Sequence, residues 1–279
     1  ADKGNYTLAS GASSSANITT RAITVTATTG SKTYDGTTSS AGTPTITTGS
    51  LAAGDSVTWT QTYDTANAGT GKTLTPAGTV SDGNAGADYA VTYATVTTGA
   101  ITPKTLTATV TTQNRAYDGT TTGTITGCTL TGVVGTEDVT CDTSGATATF
   151  YTKHIGTAKT VTIAGLAKGG SATLANYPLA SGASSSANIT PRAITVTAAT
   201  GSKTYDGTTS SAGTPTITTG SLAAGDSVTW TQAYDTANVG TGKTLTPAGT
   251  VSDGNAGADY AVTYATVTTG AITAKTLTA

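Results

Sequence analysis

The chain is poor in most of what an enzyme or a nucleic-acid-binding protein relies on. Only 10% of its 279 residues are charged, one is His, one is Phe, two are Cys and none is Met. A net charge of −2 leaves no basic footprint for nucleic acid or an anionic membrane surface. So few charges also argue against disorder of the highly charged kind. Ser and the single histidine, His154, are not arranged to suggest a hydrolase, and His154 has no second ligand cluster with which to hold zinc. No apolar run in these residues is long enough to span a bilayer, and any signal, secretion or anchor segment is expected to lie outside them. No stretch of useful length carries a 3.6-residue period. What fills the chain instead is threonine, roughly one residue in four, with 35 glycines. Thr and Val favour strands, while Gly, Asn and Asp favour turns. A surface with few Lys and Glu is chemically quiet and suits an extracellular structural protein better than a cytosolic enzyme.

The chain also repeats itself. Residues 21–102 return as residues 192–273, shifted by 171, with only Thr28, Thr62 and Ala68 replaced, by Ala199, Ala233 and Val239. A diverged third copy lies between them. The copies are marked by Tyr34-Asp35-Gly36, Tyr117-Asp118-Gly119 and Tyr205-Asp206-Gly207, 83 and 88 residues apart. A catalytic site is needed once, whereas near-identical modules in tandem serve length, spacing or multivalency. The expected organisation is a repeat at 21–102, a diverged repeat at 103–190 and a third at 191–273. Residues 1–20 read as the tail of a preceding repeat and 274–279 as the start of a following one. The whole reads as a window from a longer array.

Within one module, period-2 alternation dominates. Ile23 and Val25 alternate with Thr, as do Val57 and Trp59 (and in part Gln61 and Tyr63). Lys72–Thr75 and Tyr89–Val96 follow the same pattern. The expected fold is all-β: small antiparallel modules, sandwich-like, set end to end as an elongated rod. The alternative is a β-grasp-like sheet using Ser50–Gly54 as a short helix. Alternation runs almost unbroken through the junction around Pro191, so the last strand of one module leads directly into the next. Pro103 and Pro191 stiffen these joints.

Both cysteines lie in the middle module. A hairpin centred between Val134 and Gly135 sets Cys128 opposite Cys141, close enough for a disulfide. The aligned pairs are Ile46 with Trp59 and Ile217 with Trp230. The expectation is that an apolar core pair has been exchanged for a cross-link worth roughly 3 kcal/mol. Free thiols are the alternative. A tryptophan replaceable by a half-cystine reads as core rather than as a sugar-stacking platform.

The Tyr-Asp-Gly signature reads as a turn. Asp caps it, Gly takes positive φ and Tyr packs its ring with the hydroxyl at the rim. Lys32–Thr38, then Asn67–Thr75, then Gly4–Leu8 and Ile189–Thr195 resemble the YDG repeat of large filamentous-haemagglutinin-like surface proteins of Gram-negative bacteria. The resemblance covers the whole chain. The middle module departs from it, with Ala116 before the tyrosine and Lys153–Thr160 in place of the Asn-Ala-Gly-Thr-Gly-Lys-Thr run. The resemblance implies an exported, non-catalytic surface module, found in adhesins and biofilm-matrix proteins, and carries over no catalytic residues.

Other motifs read as structural. Asp82–Asp88 and Asp253–Asp259 cluster oxygen ligands with glycine, but lack EF-hand spacing, so an Asx-type turn is expected and calcium is the minor alternative. Gly69–Thr73 lacks the phosphate-loop spacing. The sequons at Asn5, Asn17 and Asn188 read as incidental, and His154 as a solvated turn residue. No cofactor is expected. The expected function is a stalk or fibre segment of a secreted adhesin or matrix protein, located outside the cell or on its surface. Its partners would be adjacent repeats, with neighbouring copies or matrix polysaccharide as further ones. The alternative is a glycan- or self-binding module.

Overall fold

A computed structural model describes residues 11 and 13–278. The repeat tail expected at residues 1–20, including Gly4–Leu8 and the Asn5 sequon, lies largely outside them; residues 13–20 carry no regular strand. Among the described residues there is no α-helix, and no helix long and apolar enough to cross a membrane. The chain is all-β. Its contacts divide it into two units. The first comprises Ala1–Thr105, Val134–Glu137 and Thr173–Pro178; the second comprises Leu106–Val133, Asp138–Ala172 and Leu179–Ala279.

Among its described residues the first unit holds seven strands: β1 (Arg21–Thr26), β2 (Ser31–Thr33), β3 (Thr45–Thr48), β4 (Thr60–Tyr63), β5 (Gly69–Ala77), β6 (Tyr89–Ala94) and β7 (Val96–Thr102). They form two small sheets, in the orders β3-β1-β6 and β2-β7-β5-β4. The expected alternation places Ile23 and Val25 of β1 inward. With Trp59, Val80 and Tyr89 they make the core of the first sheet, and Ile46, Leu51, Val57 and Val91 pack against it. Burying each of the large aliphatics stabilises by about 1.5–3 kcal/mol. Trp59 is 9% exposed, so it is a core residue. Gly78 lets the backbone pass its ring, since a Cβ there would fall 2.6 Å from a ring carbon.

Pairing is not purely antiparallel. β1 lies parallel to β6, and β2 parallel to β7. Four intervening strands, β2 to β5, separate β1 from β6 along the chain, which gives it the long crossover that parallel pairing requires. Residues 50–54 form a turn rather than the short helix of the β-grasp alternative. Gln61 interrupts the apolar alternation but is buried at no cost. Its amide accepts from Thr28 N at 2.8 Å and donates to Thr28 O and Ser40 Oγ at 2.8 and 3.0 Å.

The second unit begins with β8 (Thr107–Thr112), β9 (Arg115–Ala116), β10 (Thr122–Gly123), β11 (Ile125–Thr131), β12 (Thr140–Asp142), β13 (Thr147–Phe150), β14 (Gly156–Ala164), β15 (Ala167–Gly169) and β16 (Ser184–Thr190). A five-stranded sheet, β10-β13-β14-β16-β9, stands beside two-stranded pairs β11-β8 and β12-β15. Only Pro191 separates β16 from β17 (Arg192–Thr197). Then β18 (Ser202–Thr204), β19 (Thr216–Thr219), β20 (Thr231–Tyr234), β21 (Gly240–Ala248), β22 (Tyr260–Ala265) and β23 (Val267–Thr273) repeat the sheets of the first unit. Trp230 is buried like Trp59, in one cluster with Ile194, Val196, Tyr117, Phe150 and Ile189; Ile217 packs against it.

The disulfide joins Cys128 to Cys141, with Cα atoms 5.8 Å apart. The hairpin expected to carry it is not what brings them together. Cys128 faces Val110 across β11-β8, and Cys141 faces Lys168 across β12-β15. The bond therefore ties two sheets to each other. Ile46 likewise pairs with Val25 across β3-β1, and it meets Trp59 through the core rather than through a ladder. Alternation identifies inward-facing positions but does not say which strands pair.

Candidate functional site at the module joints

Each Tyr-Asp-Gly corner is built the same way. Asp35 Oδ1 accepts from the Thr37 amide and hydroxyl, both at 2.9 Å, and from Lys32 Nζ at 2.7 Å. The Lys32 hydrogen bond, aided by those from Thr37, lowers the Asp35 pKa to about 2. Asp206 repeats this with Thr208 and Lys203; Asp118 does so with Thr120 and Arg115. Gly36, Gly119 and Gly207 sit at φ of 78°, 82° and 78°, where L side chains are strained. The tyrosine amide is fixed to the module's last strand, Tyr34 to Thr102 O, Tyr117 to Thr190 O and Tyr205 to Thr273 O, each at 2.8 Å. The corner is thus a turn, and it aims the tyrosine away from its own core.

In the first unit, Tyr34 meets residues of the middle module. Its ring stands edge-on to Tyr177, with centroids 5.3 Å apart, and its hydroxyl donates to Glu137 Oε1 at 2.6 Å. Glu137 Oε2 accepts from Tyr177 OH at 2.8 Å, which in turn accepts from Val134 N at 3.0 Å. Beside this pair, Asn176 is carried on a 3-10 turn, Leu174–Asn176. It accepts from Ala68 N at 2.8 Å and donates to Asn67 at 3.1 Å. Burial, then the hydrogen bond to Glu137, pushes the Tyr34 hydroxyl up to about 12.

The second unit contains the same joint between the middle and third modules. Tyr117, fully buried, stands edge-on to Tyr260 at 5.6 Å and donates to Asp226 at 3.4 Å. Asp226 accepts from Tyr260 OH at 2.7 Å, and Tyr260 accepts from Ala223 N at 2.7 Å. Burial raises the pKa of Tyr117 and pushes that of Tyr260 up to about 12. Asp259, also fully buried, accepts from Ile155 N at 2.9 Å, and its other oxygen lies 2.6 Å from His154 Nδ1. His154 is therefore a joint residue and not a solvated turn.

The Asp-rich loops prepare these acceptors. Asp253 takes the amides of Asn255, Gly257 and Asp259 at 2.7–3.0 Å. Burial raises its pKa, but those N–H bonds outweigh it and leave the carboxyl below its usual range. Asp82 holds Asn84, Gly86 and Asp88 in the same way. These carboxylates are occupied by backbone, as in the expected Asx-type turn. Among the described residues, no three His, Cys, Asp or Glu gather where they could hold a metal.

Sequence reasoning found the corner but missed its receptor: the acid at 55, 137 or 226 and the tyrosine at 89, 177 or 260. A usable signal was present, because both recur at matching positions in all three modules.

The YDG domain model matches residues 19–98, 102–186 and 190–269. The chain belongs to the YDG domain family. No curated protein matches it significantly. Among solved structures, a titin I-band fragment, I67–I69, aligns over 91% of this chain and 97% of its own at 9% identity, with a TM-score of 0.27. A titin I9–I11 tandem aligns over 91% and 99% at 12% identity, with a TM-score of 0.26. Domains 4–9 of the surface layer protein SbsC align over 84% and 42% at 15% identity, with a TM-score of 0.15. The YDG modules are thus tandem repeats, and the fold rests on their own sheets.

Proposed function

We propose that this YDG array is a non-catalytic stalk or fibre segment of a large secreted adhesin or biofilm-matrix protein, acting outside the cell or on its surface. The observation that carries the reading is the joint. Two successive module boundaries are each closed by the signature tyrosine on a carboxylate, Glu137 or Asp226, and by a backbone amide, so the chemistry repeated within the chain serves connection. The near-absence of a linker at Pro191 supports a spacer that resists bending. A disulfide is consistent with an oxidising, extracellular setting. Trp59 and Trp230 are buried and so do not offer a sugar a tryptophan platform, which favours the stalk over the glycan-binding reading.

The test is immunogold electron microscopy of intact producing cells, with antibody raised against residues 21–273. Label along extended surface fibres or matrix is the expected result. Label confined to the cell interior overturns the proposal and redirects effort to ligand screening of the modules.

A further inference from the structure

The outer modules close a groove with a tyrosine that the middle module lacks. In module 1, Tyr93 of β6 stands edge-on to Trp59, with ring centroids 6.2 Å apart, and its hydroxyl donates to Gly78 O. In module 3, Tyr264 of β22 meets Trp230 at 6.2 Å and donates to Gly249 O at 2.5 Å. Each ring therefore reaches from its own strand to the glycine that follows another, β5 or β21.

Strand register finds the same places in the middle module. Thr60 faces Ala77 across β4-β5, and Thr147 faces Ala164 across β13-β14. Gly165 then stands where Gly78 does, and Ala146 where Trp59 does. The surroundings agree: a Cβ on Gly78 would meet Thr58 O at 3.1 Å, and one on Gly165 would meet the matching carbonyl, Gly145 O, at 2.7 Å. The Trp59 ring lies 2.6 Å from the first Cβ, whereas the second has the Ala146 Cα at 3.5 Å. On the other side, Leu179 bridges Leu106 in parallel, as Val91 pairs with Ile23 in β6-β1. Two residues further on are Ser181 and Tyr93.

Alanine and serine thus replace the tryptophan and tyrosine, and a cavity of about 400 Å³ opens between Gly165 and Ser181. Ile163, Leu166, Leu179 and Ala183 give it apolar walls. Such walls favour a hydrocarbon ring over water. The Gly165 carbonyl lacks the tyrosine donor that the Gly78 and Gly249 carbonyls have, so a ligand that also carries a hydroxyl gains a hydrogen bond there.

We propose that this groove binds a phenol substituted at the para position, the group that the outer modules supply from their own chain. The ring takes the space between Gly165 and Ser181, and the hydroxyl donates to Gly165 O. A free phenol and a tyrosine carried on another polypeptide present the same group. The inference rests on the groove and not on the stalk reading.

Methyl NMR of the whole chain, titrated with p-cresol, tests it. Saturable shifts are expected at Ile163, Leu166 and Leu179, and none at Val80 or Val251, which lie in the cores of the filled outer modules. Toluene, which has no donor, is expected to bind roughly two- to tenfold more weakly; equal affinity overturns the phenol assignment. Ser181→Tyr restores the residue of the outer modules and abolishes the shifts. Tyr264→Ser, at a residue 38% exposed, opens the equivalent groove in the third module and adds a second site, seen at the Trp230 indole signal. An acetylated Thr-Tyr-Ala-Thr peptide, the sequence around Tyr93, separates the sources. Tighter binding than p-cresol assigns the groove to a polypeptide, and binding no tighter assigns it to a free phenol. No saturable shift at the three residues, shifts that survive Ser181→Tyr, or a Tyr264→Ser chain that gains no site overturns the proposal.

Discussion

The two closed joints reach one geometry with different side chains. In the first unit an asparagine, Asn176, sits opposite Asn67 and Ala68; in the second an aspartate, Asp259, sits opposite His154 and Ile155. The acid under the tyrosine is Glu137 in one and Asp226 in the other. What stays constant is an edge-on tyrosine pair and a backbone amide, which are insensitive to the residue carrying them. The longer Glu137 reaches Tyr34 at 2.6 Å, whereas the shorter Asp226 leaves Tyr117 at 3.4 Å. The second joint compensates by packing, since Tyr117 belongs to a cluster continuous with the cores of both neighbouring modules. One joint relies more on a charged hydrogen bond and the other more on buried area.

Removing the whole ring is the strongest way to break this comparison. Tyr117→Ala empties a fully buried site and is expected to cost about 3–5 kcal/mol. Tyr34→Ala, at a site 6% exposed where that of Tyr117 is fully buried, is expected to cost less. Chemical denaturation followed by hydrogen exchange at each joint reads the difference. Equal losses would mean that packing does not distinguish the joints.

The next effect separates the middle module from its neighbours. It lacks the core tryptophan and has the disulfide between two sheets in its place. Replacing Cys128 and Cys141 by serine is expected to cost about 3 kcal/mol, concentrated in the exchange rates of β11 and β12. Unchanged protection there would show that the sheets hold without the bond.

Losing only the hydroxyl sharpens the comparison further. Tyr34→Phe removes a bond to a carboxylate and is expected to cost about 1.5–3 kcal/mol, while Tyr117→Phe, whose bond is long, costs below about 1 kcal/mol. The pH dependence follows from the raised Tyr34 pKa. A hydroxyl held at about 12 favours the folded state fully below 10, the ordinary tyrosine value, and loses that contribution as pH rises through 12. The stability gap between wild type and Tyr34→Phe therefore closes between pH 10 and 12. A gap constant over that window would remove the hydrogen bond from the account.

These contrasts also mark what the sequence could carry. Ile23, Val25 and Trp59 were legible as core because burial in a strand imposes period 2 on the residues themselves. The Asp35 and Asp82 turns were legible because an Asx turn closes within a few residues. The tyrosine's destination was not, because Tyr34 and Glu137 lie in different modules and nothing local to either names the other. The cysteines were assigned correctly to each other but to the wrong scaffold, since two sheets can bring together what a hairpin would also bring together. His154 was misread because its partner, Asp259, is in another module.

The smallest effect tests the middle module's divergence at one backbone position. Where β14 bulges against β16, Ala158 has φ of 47°, and the matching residues of the outer modules, Gly71 and Gly242, have 68° and 69°. No neighbour crowds the position, because a Cβ on Gly71 would come no nearer than 3.9 Å to Thr97 O. The cost to alanine is therefore conformational rather than steric contact with another strand. Ala158→Gly relieves it, while adding freedom to the unfolded chain that offsets part of the gain. The Ala158 amide keeps its bond to Asn188 Oδ1 in either case, at 2.8 Å here. The net expectation is stabilisation by roughly 0.5–1 kcal/mol, with Gly71→Ala destabilising the first module by a similar amount. Both are read as shifts in denaturant midpoint at unchanged slope. A loss of stability in Ala158→Gly would mean that the middle module tolerates the left-handed alanine through a compensation that the outer modules lack.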